Sequence, residues 1–259
     1  MFYHKHKKII LPLIILPFIF IIWEMSVVIF NIPQYLLPKP SFLAEYMAKL
    51  FSSGTIVPHI LITLKEILLG TLIGVLLGLV LGYIMAKIRI IEKLIMPLVV
   101  ILQTAPKISL APLFILWLGL GIESKIVLVV LVVMFPVMIN EVLAIRTIDK
   151  NVYDLMSVLK SNKIQVFFYI ELPYSFEMLI SGIKLAMTQA VTGAVIGEMI
   201  GAKAGLGYLL TLGSETYDIS MILSSVIILS FIGLFLYEIF NILENKVLYW
   251  KATDINTTN

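Results

Sequence analysis

The sequence predicts an all-α fold, a polytopic membrane protein with about six transmembrane helices. Three observations carry that reading. Of 259 residues, 60% are hydrophobic and only 14% charged, well outside the usage of soluble domains. The mean hydropathy is +1.05. Apolar blocks of about 20 residues recur, the length at which a helix crosses about 30 Å of hydrocarbon.

The first block covers residues 9–30 and is too long, and too poor in small residues at its end, for a cleaved signal peptide. A Pro-interrupted stretch follows, NIPQYLLPKPSFLAEYMAKLFSSGTIVPHI, amphipathic at helical spacing and expected along the outer surface. The second block, 67–86, carries no charge but has Gly70, Gly74, Gly78 and Gly82 on one helical face. Such a ladder lets another helix approach closely, either as fixed packing or as a face that slides during a transport cycle.

The third block, 94–122, would reach roughly 43 Å as a straight helix, more than one crossing needs. Pro97, Pro106 and Pro112 interrupt it, and Gln103, Lys107 and Ser109 stand among its apolar residues. Irregular backbone at membrane depth is tolerated where protein buries it or where it lines water, and a lysine facing lipid would cost about 2.5–3.5 kcal/mol. Lys107 therefore either snorkels from a kinked helix, or the break at Gln103, Pro106, Lys107 and Ser109 borders a translocation pathway. The fourth, fifth and sixth blocks cover 126–145, 179–200 and 219–240. Glu198, near the outer end of the fifth, is a helix-end packing group in one reading and a pathway residue in the other.

Basic residues fix an expected orientation, since Lys and Arg in short loops favour the cytoplasmic side. Lys5, Lys7 and Lys8 precede the first block; Lys87, Arg89 and Lys93 separate the second and third; Arg146, Lys150, Lys160 and Lys163 separate the fourth and fifth; Lys246 and Lys251 follow the sixth. Both termini and the segment 149–178 are thus expected in the cytoplasm, with 1–8 and 246–259 as tails of a single membrane domain, 9–245.

Several chemistries are excluded. There is no cysteine, and the only histidines, His4, His6 and His59, lie outside the apolar blocks, so an intramembrane serine nucleophile would lack a base. No H-E-x-x-H and no G-x-x-x-x-G-K-[ST] occurs. The chain reads as a non-enzyme without metal or cofactor, with no nucleic acid among its partners; ATP hydrolysis, if it drives transport, belongs to another subunit.

Segment 149–178 stands out. Tyr153, Met156, Val158 and Leu159 suit one short amphipathic helix, and Ile164, Val166, Phe167, Phe168 and Ile170 a second. Lys160-Ser-Asn-Lys163 separates them, and Pro173 is expected to end the second and redirect the chain. An exposed apolar set on such a protrusion is either a docking surface or an amphipathic face lying on lipid headgroups.

The residues here resemble the EAA motif of ATP-binding-cassette (ABC) importer permeases: Glu-Ala-Ala, three residues, Gly, nine residues, Ile, one residue, Leu-Pro. The register is Asp154-Leu155-Met156, Lys160, Ile170 and Leu172-Pro173. The stretches 106–121, 197–209 and 23–41 resemble the nitrate/sulfonate/taurine subgroup of these permeases, and the likeness spans residues 23–240. It implies a type I importer fold in the cell membrane, a pair of permease chains, cytosolic ATPases seated on the motif, and an outer substrate-binding protein. The coupling residues it implies are Asp154, Leu155, Met156, Lys160, Asn162, Phe167, Phe168, Ile170, Leu172 and Pro173, and the cargo a small nutrient, anionic if Lys107 is a guide: a sulfonate, taurine, nitrate or thiamine-precursor pyrimidine. An ion-coupled secondary transporter using Lys107, Lys184 and Glu198 is the alternative. If the motif's glycine needs a positive φ, lysine at 160 is disfavoured there, and the expected turn is a rearranged one with Asn162 in the left-handed position.

Overall fold

The computed structural model describes residues 2–247, and every regular element among them is helical. The first is α1, Phe2–Ile29, whose stretch Pro17–Ile29 is apolar. Pro40 opens α2, Pro40–Ser52, at a position where its missing N–H goes unneeded. The Tyr46 hydroxyl of α2 donates to Asp218 at 2.9 Å.

The long helix α3 spans Ile56–Lys87 and begins well before the uncharged block. Lys65 and Glu66 do not end it, and Glu66 is 2% exposed. The third block bends instead of spanning straight: α4, Arg89–Thr104, and α5, Lys107–Leu118, meet at 105°. The break falls at Ala105–Pro106, where proline offers no donor to continue the ladder, while Pro97 and Pro112 stay inside their helices.

Next comes α6, Ile122–Arg146. The short helices α7, Lys150–Val158, and α8, Lys163–Val166, lead through a π-helical turn, Phe167–Glu171, into α9, Leu172–Gly201. A ten-residue helix, α10, Leu206–Glu215, and the long α11, Ile219–Val247, complete the described chain. Residues 248–259, most of the expected C-terminal tail, lie outside the described residues.

Among the described residues, four helices are long and apolar enough to cross a membrane (α3, α6, Met178–Gly201 of α9 and Ile219–Glu244 of α11), and the bent pair α4–α5, taken as one span, makes a fifth. The remaining expected span corresponds to α1. At the centre stands α6, with Val129, Val133 and Val137 fully buried. The glycine ladder of α3 lies on this face. A Cβ at Gly74 would stand 2.9 Å from Val133, and one at Gly78 only 2.8 Å from the Met134 carbonyl oxygen. On another side α9 brings Ala186, Ala190 and Ala194, all fully buried, into the same core. Small residues on both neighbours let three backbones converge, which substitutes in lipid for the hydrophobic drive that water supplies elsewhere.

The ladder is therefore packing in this conformation. Gly78→Ala should force α3 and α6 apart and lower stability by about 1–3 kcal/mol, read as a fall in melting temperature in detergent, whereas Leu76→Ala on the exposed face should change it little. Equal melting of both variants and the parent chain would show that the contact is loose.

Candidate functional site

Segment 149–178 forms a helical hairpin at the end of the bundle where Lys87, Arg89 and Arg146 cluster. Asp149 opens α7 as its N-cap, its side chain accepting from the Asn151 N–H at 2.9 Å. At the other end the Ser161 N–H donates to the Met156 carbonyl and the Lys160 N–H to the Ser157 carbonyl, both at 3.0 Å. This pair of bonds is a Schellman motif, which places the residue after the helix cap in the left-handed region. That residue is Lys160, with φ +53°.

The expected rearrangement does not occur. Lys160 adopts the conformation glycine would favour, while Asn162 is extended, φ −81° and ψ 167°. Its side chain is engaged elsewhere: it accepts from the Gln165 N–H, and the Gln165 side chain accepts from the Asn162 N–H, each at 2.8 Å. This reciprocal capping box fixes Asn162 as the start of α8 and leaves the tight reversal to Lys160. Two main-chain bonds offset the left-handed strain, about 1–2 kcal/mol for a residue with a Cβ.

Pro173 also departs from expectation, since it does not end a helix. It occupies the first turn of α9, and the π-helical turn ahead of it carries the chain through. The Leu172 N–H reaches back five residues to the Phe167 carbonyl. The wider turn relieves the crowding that a proline ring imposes on the preceding turn.

The residues of the motif separate into two groups by burial. Leu155, Val158, Ile164 and Phe168 are exposed, Val158 at 79%, together with Asp154, Lys160, Asn162 and Pro173. Met156 is buried, and Phe167, Ile170 and Leu172 are half-buried. The Phe167 ring stands edge-on to Tyr83 of α3, with centroids 5.2 Å apart. One side of the hairpin thus faces outward with large apolar groups, while the other is anchored.

The anchor is Glu171, which sequence reasoning passed over as the variable residue between Ile170 and Leu172. It is 1% exposed. Its carboxylate accepts from the Tyr83 hydroxyl at 3.0 Å, from the Tyr153 hydroxyl at 3.1 Å, and from the Lys87 ammonium. Lys87 also lies over the rings of Tyr83 and Tyr153, a cation–π arrangement. Burial, and then the charge of Glu171, push the Tyr153 phenol above the usual tyrosine range, so it stays a donor. The signal available in the sequence was a lone carboxylate inside the apolar run Phe167–Leu172.

The proposed pathway residues lie elsewhere. Gln103, Pro106 and Ser109 are exposed at the α4–α5 bend; the side chain of Lys107 lies outside the described residues. Glu198 does not join them. It is 1% exposed and accepts from the Thr63 hydroxyl at 2.6 Å and the Gly207 N–H at 2.5 Å. Thr63 in turn accepts from the Leu206 N–H at 2.9 Å. In this conformation Glu198 ties α9 to α3 and to the start of α10. Beside it, Lys125 donates to the carbonyls of Leu120, Gly121 and Gly201 at 2.6–3.0 Å. Lys184 pairs with Glu244 at 2.7 Å and Asn241 at 2.8 Å, joining α9 to α11.

Residues 74–249 match the family described as binding-protein-dependent transport system inner membrane component. The riboflavin transport system permease protein of Chloroflexus aurantiacus is 36% identical over 90% of this chain and 87% of its own length. The formylaminopyrimidine transport permease protein of Halalkalibacterium halodurans is 31% identical over 93% of this chain and 95% of its own. In three dimensions the chain superposes on the inward-facing MetNI methionine ABC transporter with a TM-score of 0.67, at 16% identity, over 74% of this chain and 95% of that one.

Two substitutions test the hairpin in opposite directions. Lys160→Gly should raise stability by about 1 kcal/mol by removing the left-handed strain. Glu171→Ala, which leaves Tyr83, Tyr153 and Lys87 without their shared acceptor, should lower it by about 1–3 kcal/mol. Thermal melting of the purified chain measures both, and a destabilised Lys160→Gly would contradict the assigned turn.

Proposed function

Because the chain belongs to the binding-protein-dependent transport system inner membrane component family, as an ABC importer permease subunit, we propose that its segment 149–178 is the surface on which a cytosolic ATPase seats. The observation that carries this is the exposed apolar set of α7, α8 and the π-helical turn, Leu155, Val158, Ile164 and Phe168, held on a hairpin that Glu171 locks to α3. Exposed apolar groups outside the spanning helices mark an interface, and fixing them to the bundle makes them a handle on it.

The ATPases supply the hydrolysis. Their closure would displace α7 and α8, and the Glu171 contacts to Tyr83 and Lys87 would pass that displacement to α3 and its partner α6. The displacement drives a change of state only if the docked hairpin contacts the two states differently. Both termini lie on the same side as the hairpin in this reading, in the cytoplasm.

A second permease copy completes the pathway. The bent pair α4–α5 leaves much of its surface uncovered, with Leu116 81% and Trp117 65% exposed on α5. The bend carrying Gln103, Pro106, Lys107 and Ser109 is the proposed cargo-facing element, fed from outside by a binding protein. Gln103 and Ser109 offer neutral hydrogen bonds, which suit a small nitrogen heterocycle of the kind named for the formylaminopyrimidine and riboflavin relatives. A sulfonate or other small anion would call on the charge of Lys107. Lys184, paired with Glu244, and Glu198, held by Thr63 and Gly207, are both engaged internally, which weighs against an ion-coupled carrier.

Co-expression with the ATPase and purification on a tag tests the docking surface. Leu155→Asp and Phe168→Asp should each reduce ATPase recovery by about tenfold or more, while Leu76→Asn, on the exposed face of α3, should leave it unchanged. Full recovery with both variants would refute the assignment. In this cysteine-free chain, Ser161→Cys should react with membrane-impermeant thiol reagents only from the cytoplasmic side; labelling from outside would invert the orientation and remove the hairpin from the ATPase.

A further inference from the structure

A cavity of about 650 Å³ opens between α4 and the end of α6, at the same basic end of the bundle as the hairpin but separate from it. Its rim carries Arg89, Lys93 and Arg146, with Glu92 as the single carboxylate. Arg146 pairs with Glu92. Arg89 and Lys93 are exposed and, among the described residues, make no ion pair. The rim therefore keeps two uncompensated positive charges.

Below the rim the wall changes character. Met96, Pro97 and Val100 continue the cavity along α4 toward the middle of the apolar block. Val100 is 49% exposed and Leu98, on the same helix, 58%. Cations above and an open apolar groove below make an amphipathic site whose axis follows α4, the first arm of the bent apolar pair.

We propose that this cavity binds one anionic phospholipid, its phosphate held by Arg89 and Lys93 and one acyl chain laid along Met96, Pro97 and Val100. Basic pockets between transmembrane helices at the headgroup level are suited to acidic lipids. A soluble phosphate or a small anionic cargo would use the rim alone and leave the apolar wall without a role, so the shape favours the lipid. Occupancy would tie α4 to the end of α6, because Arg146, whose neighbour is Glu92 of α4, faces the same headgroup. The inference rests on the membrane-spanning reading of the fold and is independent of the ATPase docking assigned to α7 and α8.

The test uses the full chain in detergent and follows its melting temperature as lipid is added. Dioleoylphosphatidylglycerol should stabilise it in a saturable manner, and dioleoylphosphatidylcholine should not. The double variant Arg89→Gln/Lys93→Gln, which spares the Arg146–Glu92 pair, should bind phosphatidylglycerol roughly 30-fold more weakly at low salt, and added salt should narrow the difference. Val100→Trp, which fills the groove and leaves the rim intact, should reduce lipid binding without restoring any response to glycerol phosphate. Equal responses to the two lipids, an unchanged double variant, or full stabilisation by inorganic phosphate or glycerol phosphate alone would each overturn the proposal. So would Val100→Cys forming a disulfide with a second copy in lipid bilayers, which would make this face a permease–permease contact.

Discussion

The closeness of α3 to α6 is the constraint from which the rest of the arrangement follows. Four glycines at i, i+4 spacing leave α3 without side chains on one face, and the valines of α6 fill the space. The contact runs nearly the length of both helices, so it sets their relative register and height. With that register fixed, Lys87 emerges where Glu171 can be reached, and Lys125, at the far end of α6, comes up against the Gly201 carbonyl. A contact that tolerates no extra methyl group thereby positions two polar sites at opposite ends of the bundle.

Those polar sites solve the same problem in opposite ways. Glu171 and Glu198 are both carboxylates with almost no solvent access, and burying such a group unpaired is prohibitive. Glu171 is satisfied by side-chain donors drawn from two other elements, Tyr83 and Lys87 on α3 and Tyr153 on α7. Glu198 is satisfied by one side-chain donor, Thr63 on α3, and by the main chain of Gly207 at the start of α10.

Much of this was legible in the sequence, and the limits are physical. Long apolar blocks gave the helices, and the two amphipathic sets on either side of Lys160-Ser-Asn-Lys163 located the hairpin, because both signals depend on one-dimensional periodicity. Helix ends are hard to read where a charged group is buried by distant neighbours: Glu66, just before the second apolar block, is buried beside Lys125 and Glu198, and nothing nearby in sequence announces either. Glu171 was overlooked for the same reason, since its donors lie 18 to 88 residues away. Pro173 was read as a terminator by a rule that holds for regular α-helix, and the π-helical turn is the exception that a residue-by-residue rule does not contain. Asn162 was assigned the left-handed position on intrinsic preference, yet its side chain gains more by capping α8.

Lys160 has a consequence that belongs to populations and not to geometry. A lysine held at positive φ closes the turn against a strain of about 1–2 kcal/mol, and energies of that size change the ratio of two states about 5- to 30-fold. Relative to a glycine at the same place, the hairpin of this chain spends more of its time with the turn opened. A partner that recognises the closed turn must first wait for it, and its apparent affinity falls by the fraction that is ready. The substitution thus acts as a setting on how eagerly the tip is engaged, leaving every contact in the closed form as it was.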